Sequence, residues 1–173
     1  MSFNRFDKQP SQPNPIEDFR RLAYQKISMQ FQQSGYTISQ VDPVLDIRFA
    51  SGPKSVHFAL RVIKNHSMSY KDKKYACIIN EFHYNGYLRM IKQCPDIPFI
   101  LFVYIIEGYK LLGRQLDLNS MYIRQYPLKA DPSKKIILIL EDSFRSIDEM
   151  FKNNKLNLNM KKVNPSQRNL SDF

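Results

Sequence analysis

An aspartate and a lysine eighteen positions apart, Asp46 and Lys64, are the residues of this chain whose types and placement best suit chemistry. Asp46 is the one acid in the apolar run Val44-Leu-Asp-Ile-Arg-Phe49, and Lys64 closes the run Ala59-Leu-Arg-Val-Ile-Lys64. If both runs are strands joined through Ser51-Gly-Pro53, side-chain alternation puts Leu60, Val62 and Lys64 on one face, and Arg61 and Ile63 on the other. A hairpin of that length can bring a carboxylate next to an ammonium. The competing readings are structural: an Asp bonded to a backbone amide, and a solvated Lys whose stem covers apolar surface. A second constellation interleaves Tyr70, Tyr75, Tyr84 and Tyr87 with Lys71, Lys73, Lys74 and Arg89, a mixture able to stack bases and neutralise phosphates. Those tyrosines would equally serve to pack a helix on a sheet.

Other chemistries find less support. His57 and His66 flank the third strand without a Cys or carboxylate at zinc spacing, and Cys77 and His83 are irregularly placed for a structural zinc. Neither Cys77 nor Cys94 brings an evident base for nucleophilic catalysis. No Walker-type phosphate loop or dinucleotide fingerprint occurs, and five glycines in total leave little to build one from.

The elements that must position these residues are legible in outline. Asn14-Pro15-Ile16-Glu17 reads as a helix start, with Asn as cap, Pro at the first helical position and Glu17 as the capping partner. Ile16, Phe19, Ala23, Ile27 and Phe31 recur on one helical face, and Gly35 ends the helix. Tyr36–Gln40, Val44–Ala50 and Val56–Lys64 read as strands. Lys71–Lys74 reads as a charged loop, Asn80–Gln93 as a helix stopped before Pro95, and Pro98–Ile106 as a central strand covered on both faces. Lys135–Leu140 predicts another buried strand. Ser143 is placed to cap a last helix carrying Phe144, Ile147 and Phe151 on one side. The expected fold is α/β: a central mixed sheet flanked by helices, in the order αβββαβ, followed by a further strand and helix. Residues 107–132 give no clear pattern.

That order, with an Asp on the second strand and a Lys closing the third, resembles the restriction-endonuclease-like, PD-(D/E)xK nuclease superfamily. It is most similar to bacterial members with degenerate motifs, and the likeness covers roughly residues 16–106. The resemblance implies Asp46 as metal ligand, Lys64 as the catalytic lysine and Mg²⁺ as the cofactor of an active form. Where the family's second carboxylate should stand, two residues before Lys64, this chain has Val62, and the first helix has Tyr24 or Gln25 where a glutamate is often found. The expectation is therefore a nucleic-acid-binding protein with an eroded metal site. An active nuclease using Asp46 and Lys64 is the first alternative, and a protein-interaction module on the same scaffold is the second.

Composition bounds these readings. The 173 residues carry a net charge of +10, of which +1 falls in residues 1–15 and +4 in residues 152–173, leaving +5 for residues 16–151. The expected organisation is a flexible Pro-rich arm at 1–15, the α/β domain at 16–151 and an Asn/Lys-rich tail at 152–173. Binding to DNA or RNA is expected to use Arg20, Arg21, Lys71, Lys73, Lys74 and Arg89, with a protein partner conceivable for the tail. The longest apolar run is too short to span a bilayer, the start of the chain lacks the apolar stretch of a secretory signal, and two cysteines make no disulfide scaffold. The expected home is the cytoplasm, away from membranes.

Overall fold

Asn14 opens the first helix as its type suggests: its Oδ1 accepts a hydrogen bond from the Ile16 amide, and Pro15 takes the first turn. The helix, α1, runs Pro15–Gln33 and buries Ala23, Ile27 and Phe31 completely. Gly35, at φ 83°, turns the chain out of it in the left-handed region. Three strands follow, β1 (Thr37–Asp42), β2 (Ile47–Ser51) and β3 (Val56–Ile63), as an antiparallel meander. Then come β4 (Ser69–Tyr70), β5 (Lys73–Asn80), α2 (Glu81–Gln93), β6 (Phe99–Ile105) and β7 (Lys110–Leu116). The chain continues with β8 (Ile123–Leu128), β9 (Asp131–Leu140), β10 (Arg145–Ser146) and the short α3 (Ile147–Met150). This computed structural model describes residues 14–64, 69–70, 73–118 and 123–158.

A six-stranded sheet is ordered β1-β2-β3-β6-β7-β10, and a four-stranded one β4-β5-β9-β8. All neighbours are antiparallel except β3 and β6, which run parallel from His57↔Phe99 to Ile63↔Ile105. A parallel pair needs a long crossover, and α2 is part of it. The architecture is therefore the α/β one expected, with αβββαβ embedded in it.

Alternation along β3 and β6 sorts the core into two layers. Val56, Phe58, Leu60, Ile100, Phe102 and Tyr104 face α1 and α3. Ala59, Phe99, Leu101, Val103 and Ile105 face α2 and the small sheet. All seven residues of β6 are buried, as a strand covered on both faces requires. On the α1 side Phe31 anchors the packing, its ring 5.0 Å from those of both Phe58 and Phe151. No helix among the described residues is long and apolar enough to cross a membrane.

Several local expectations need correction. Lys73 and Lys74 open strand β5 instead of lying in a loop. Residues 110–116 and 123–128, unreadable in sequence, are strands. The last helix is capped by Ser146, which exchanges hydrogen bonds with Glu149 in a capping box, while the Ser143 hydroxyl donates to the Leu140 carbonyl. Phe144 packs on the α2 side of the sheet, whereas Ile147 and Phe151 pack on the α1 side. The two-residue strand β10 separates them, and a strand reverses the face at each residue where a helix would not. Residues 152–158 stay against the domain: Leu156 and Leu158 pack on the α1-side core, and the Asn157 amide donates to the Met150 carbonyl; the rest of the expected tail lies outside the described residues.

Candidate functional site

The turn between β1 and β2 is where sequence and structure diverge most usefully. Asp42 Oδ1 accepts hydrogen bonds from the amides of Val44 (2.9 Å) and Leu45 (3.0 Å), which folds Pro43–Asp46 into a tight turn. Asp46 thus stands just before β2, not inside it, with its backbone in the left-handed region at φ 58°, a conformation that Asp tolerates better than most residues. Leu45 plugs inward against α2. A Cβ on Gly86 would lie 2.5 Å from the Leu45 Cδ1, so only glycine lets the helix approach this closely.

The Asp46 carboxylate gathers arginines. Arg20 Nη1, from α1, donates to its Oδ2 at 3.2 Å, and Arg48 Nη2, from β2, stands 3.9 Å from its Oδ1. Arg20 Nε is also 3.4 Å from Glu17 Oε1, so one guanidinium bridges both carboxylates. Glu17 is therefore an arginine partner and not the capping residue expected of it. The Arg48 guanidinium lies 4.2 Å from the centre of the Tyr24 ring, a cation–π contact. The Tyr24 hydroxyl is enclosed beside the Asp46 carboxylate and the Arg48 guanidinium. Burial first, then a hydrogen bond to Asp46 and the negative charge of that carboxylate, raise the pKa of the phenol well above its ordinary value.

These side chains line an open cleft of about 760 Å³ between the N-terminal half of α1, the Pro43–Asp46 turn, the end of β3 and the start of α2. Arg21 and Arg61 complete its charged lining and His83 adds a neutral ring, so four arginines face two carboxylates, a net of +2. His83 Nδ1 is 2.7 Å from Asn80 Oδ1, the atom that also caps α2 by accepting from the His83 amide. Its pKa is lowered, first by burial and then by the positive charge of Arg61, so the ring is neutral at pH 7. The α2 N-terminus adds its partial positive charge at the same mouth. The chemistry on offer is anion recognition.

Of the residues singled out in sequence, Arg20, Arg21 and Asp46 meet here. Lys64 does not. Ile47 pairs with Ala59, so Asp46 is level with Leu60, and Lys64 stands four residues further on, roughly 13 Å along the strand direction. Lys64 is exposed, and its backbone carbonyl accepts from the Glu107 amide, prolonging the β3–β6 ladder. Arg89 is exposed on α2 away from the cleft lining, Lys73 and Lys74 belong to the small sheet, and Lys71 lies outside the described residues, as does His66. Tyr84 and Tyr87 are core residues under α2. His57 is buried on β3 beside Phe49, and burial lowers its pKa.

The carboxylates do not form a fitting divalent-metal site. Among the described residues no three His, Cys, Asp or Glu side chains gather to hold one. The place between Glu17 and Asp46 that a cation would take is filled by the Arg20 guanidinium, and the arginines alongside repel further positive charge. Sequence reasoning missed Arg48, Arg61, His83 and Tyr24. The available signal was Arg48, an arginine that interrupts an apolar strand two residues after an aspartate. Comparison with protein-family models, curated proteins and solved structures gives no match for this chain.

Proposed function

We propose that this protein binds nucleic acid through the arginine cleft, on a scaffold resembling that of the restriction-endonuclease-like nucleases, with Asp46 organising arginines rather than holding a metal. The observation that carries this reading is Arg20 bridging Glu17 and Asp46 at the mouth of a cleft whose net charge stays positive. Two carboxylates hold the guanidiniums in place, and the surplus charge is left to meet phosphate oxygens, for which the planar, forked guanidinium is well shaped. Arg61 makes no ion pair among the described residues, so its charge is the one most directly available to a ligand.

The test is the salt dependence of oligonucleotide binding. Each phosphate neutralised contributes about 0.7 (single strand) to 0.9 (duplex) to the slope of log K against log salt. Wild-type affinity should fall steeply between 50 and 200 mM KCl on the order of that relation. Arg61→Gln should weaken binding and flatten the slope by roughly one such contact. An affinity indifferent to salt, or an Arg61→Gln protein indistinguishable from wild type, would reject the reading.

A further inference from the structure

The cleft has a rim that phosphate binding leaves unused. Phe82, the second residue of α2, is 63% exposed, an unusual position for so large an apolar ring. Its neighbour in sequence, His83, lies in the cleft lining, and the two rings meet edge-to-face at 5.6 Å and 90°. The His83 backbone and ring are in turn held by Asn80. Phe82 is thus a braced aromatic surface open to solvent, one residue from a phosphate-attracting cleft. Val44, 70% exposed, adds a second apolar side chain where the turn enters that cleft.

Building on the nucleic-acid reading above, we infer that the ligand is single-stranded, with one unpaired base stacked on Phe82 while the adjoining phosphates enter the arginine cleft. Aromatic faces beside basic grooves are how strands without base pairing are held, because every base has a π-face to offer. A duplex hides those faces in its own stack and would leave Phe82 in water.

The experiment measures affinity of the full chain, by fluorescence anisotropy at fixed salt, for a single-stranded oligo-dT, the matching oligo-rU, a duplex of equal length and an abasic strand with the same phosphates. Wild type should prefer the single strands to the duplex and the abasic strand. Phe82→Ala should lose on the order of 5- to 100-fold on the single strands and little on duplex or abasic strand, and Phe82→Tyr should retain the preference. Since the Phe82 side chain is mostly in solvent, the substitution leaves the core intact. The dT and rU arms separate DNA from RNA as the source of the strand. Equal single-strand binding by wild type and Phe82→Ala, or a wild-type preference for duplex, with Arg61→Gln still weakening both, overturns this inference and leaves the cleft reading standing. No binding to any of the four overturns both.

Discussion

Replacing Asp46 by Asn removes one charge and almost nothing else, and it separates an arginine organiser from a metal ligand. Asn tolerates the left-handed backbone at φ 58° nearly as well as Asp, so the turn keeps its conformation. What is lost is the charged bond to Arg20 at 3.2 Å and the weaker attraction to Arg48 at 3.9 Å. The Asp46 and Arg20 side chains are 19% and 30% exposed, between a surface pair worth about 0.2–1 kcal/mol and a buried pair whose breaking costs about 3–5 kcal/mol. The expected loss is therefore about 1–2 kcal/mol, or roughly 2–8 °C in Tm for a chain of this size. A thermal-melt double-mutant cycle with Arg20→Gln should return a coupling of about 1 kcal/mol. Binding should move the other way: the cleft goes from +2 to +3, so oligonucleotide affinity rises and its salt slope steepens by up to about 0.7. An unchanged Tm with an additive cycle would show that the carboxylate does not hold the guanidiniums. A fall in affinity would show that the order Asp46 imposes on Arg20 and Arg48 is worth more to the ligand than the negative charge it removes from the cleft.

Two further outcomes follow from the same geometry. His83 has a lowered pKa and faces Arg61, Arg20, Asp46 and the Val44 backbone carbonyl. Its neutral form adds stability above the unfolded-state value near 6.5, a contribution lost as pH falls through the folded-state pKa. A bound anion favours the protonated ring, so oligonucleotide affinity should climb as pH drops below the ordinary histidine value near 6.5, a rise that His83→Gln abolishes in the same anisotropy titration. Gly86→Ala should destabilise the fold by about 0.5–2 kcal/mol in a denaturant melt, because the clash with buried Leu45 outweighs the gain in helix propensity. A stabilised Gly86→Ala protein would mean that the turn is free to move away from α2.

The parts of the molecule with a periodic pattern were legible before the structure. Ala23, Ile27 and Phe31 announced the buried face of α1, and the apolar run at Pro98–Ile106 announced the doubly covered β6, because each burial pattern is written in the spacing of neighbours a few residues apart. The region 107–132 was not legible, since β7 and β8 mix polar and apolar residues without strict alternation and owe their form to β6 and β9 beside them. Short-range rules also misplaced Ser143 and Glu17, whose side chains had more than one local partner to choose from.

The chemistry divides along the same line. Residue types alone determined that this chain carries a positive surplus, an isolated acid at position 46 and no ready-made cofactor motif. Which charges meet was decided by tertiary structure: Asp46 finds Arg20, twenty-six positions back, while Lys64, eighteen ahead, stands elsewhere. The physical reason is the turn. Asp42 closes it through two backbone amides and Leu45 pins it against Gly86, and a residue held there by α2 points its carboxylate at α1, whatever the alternation of the strand that follows.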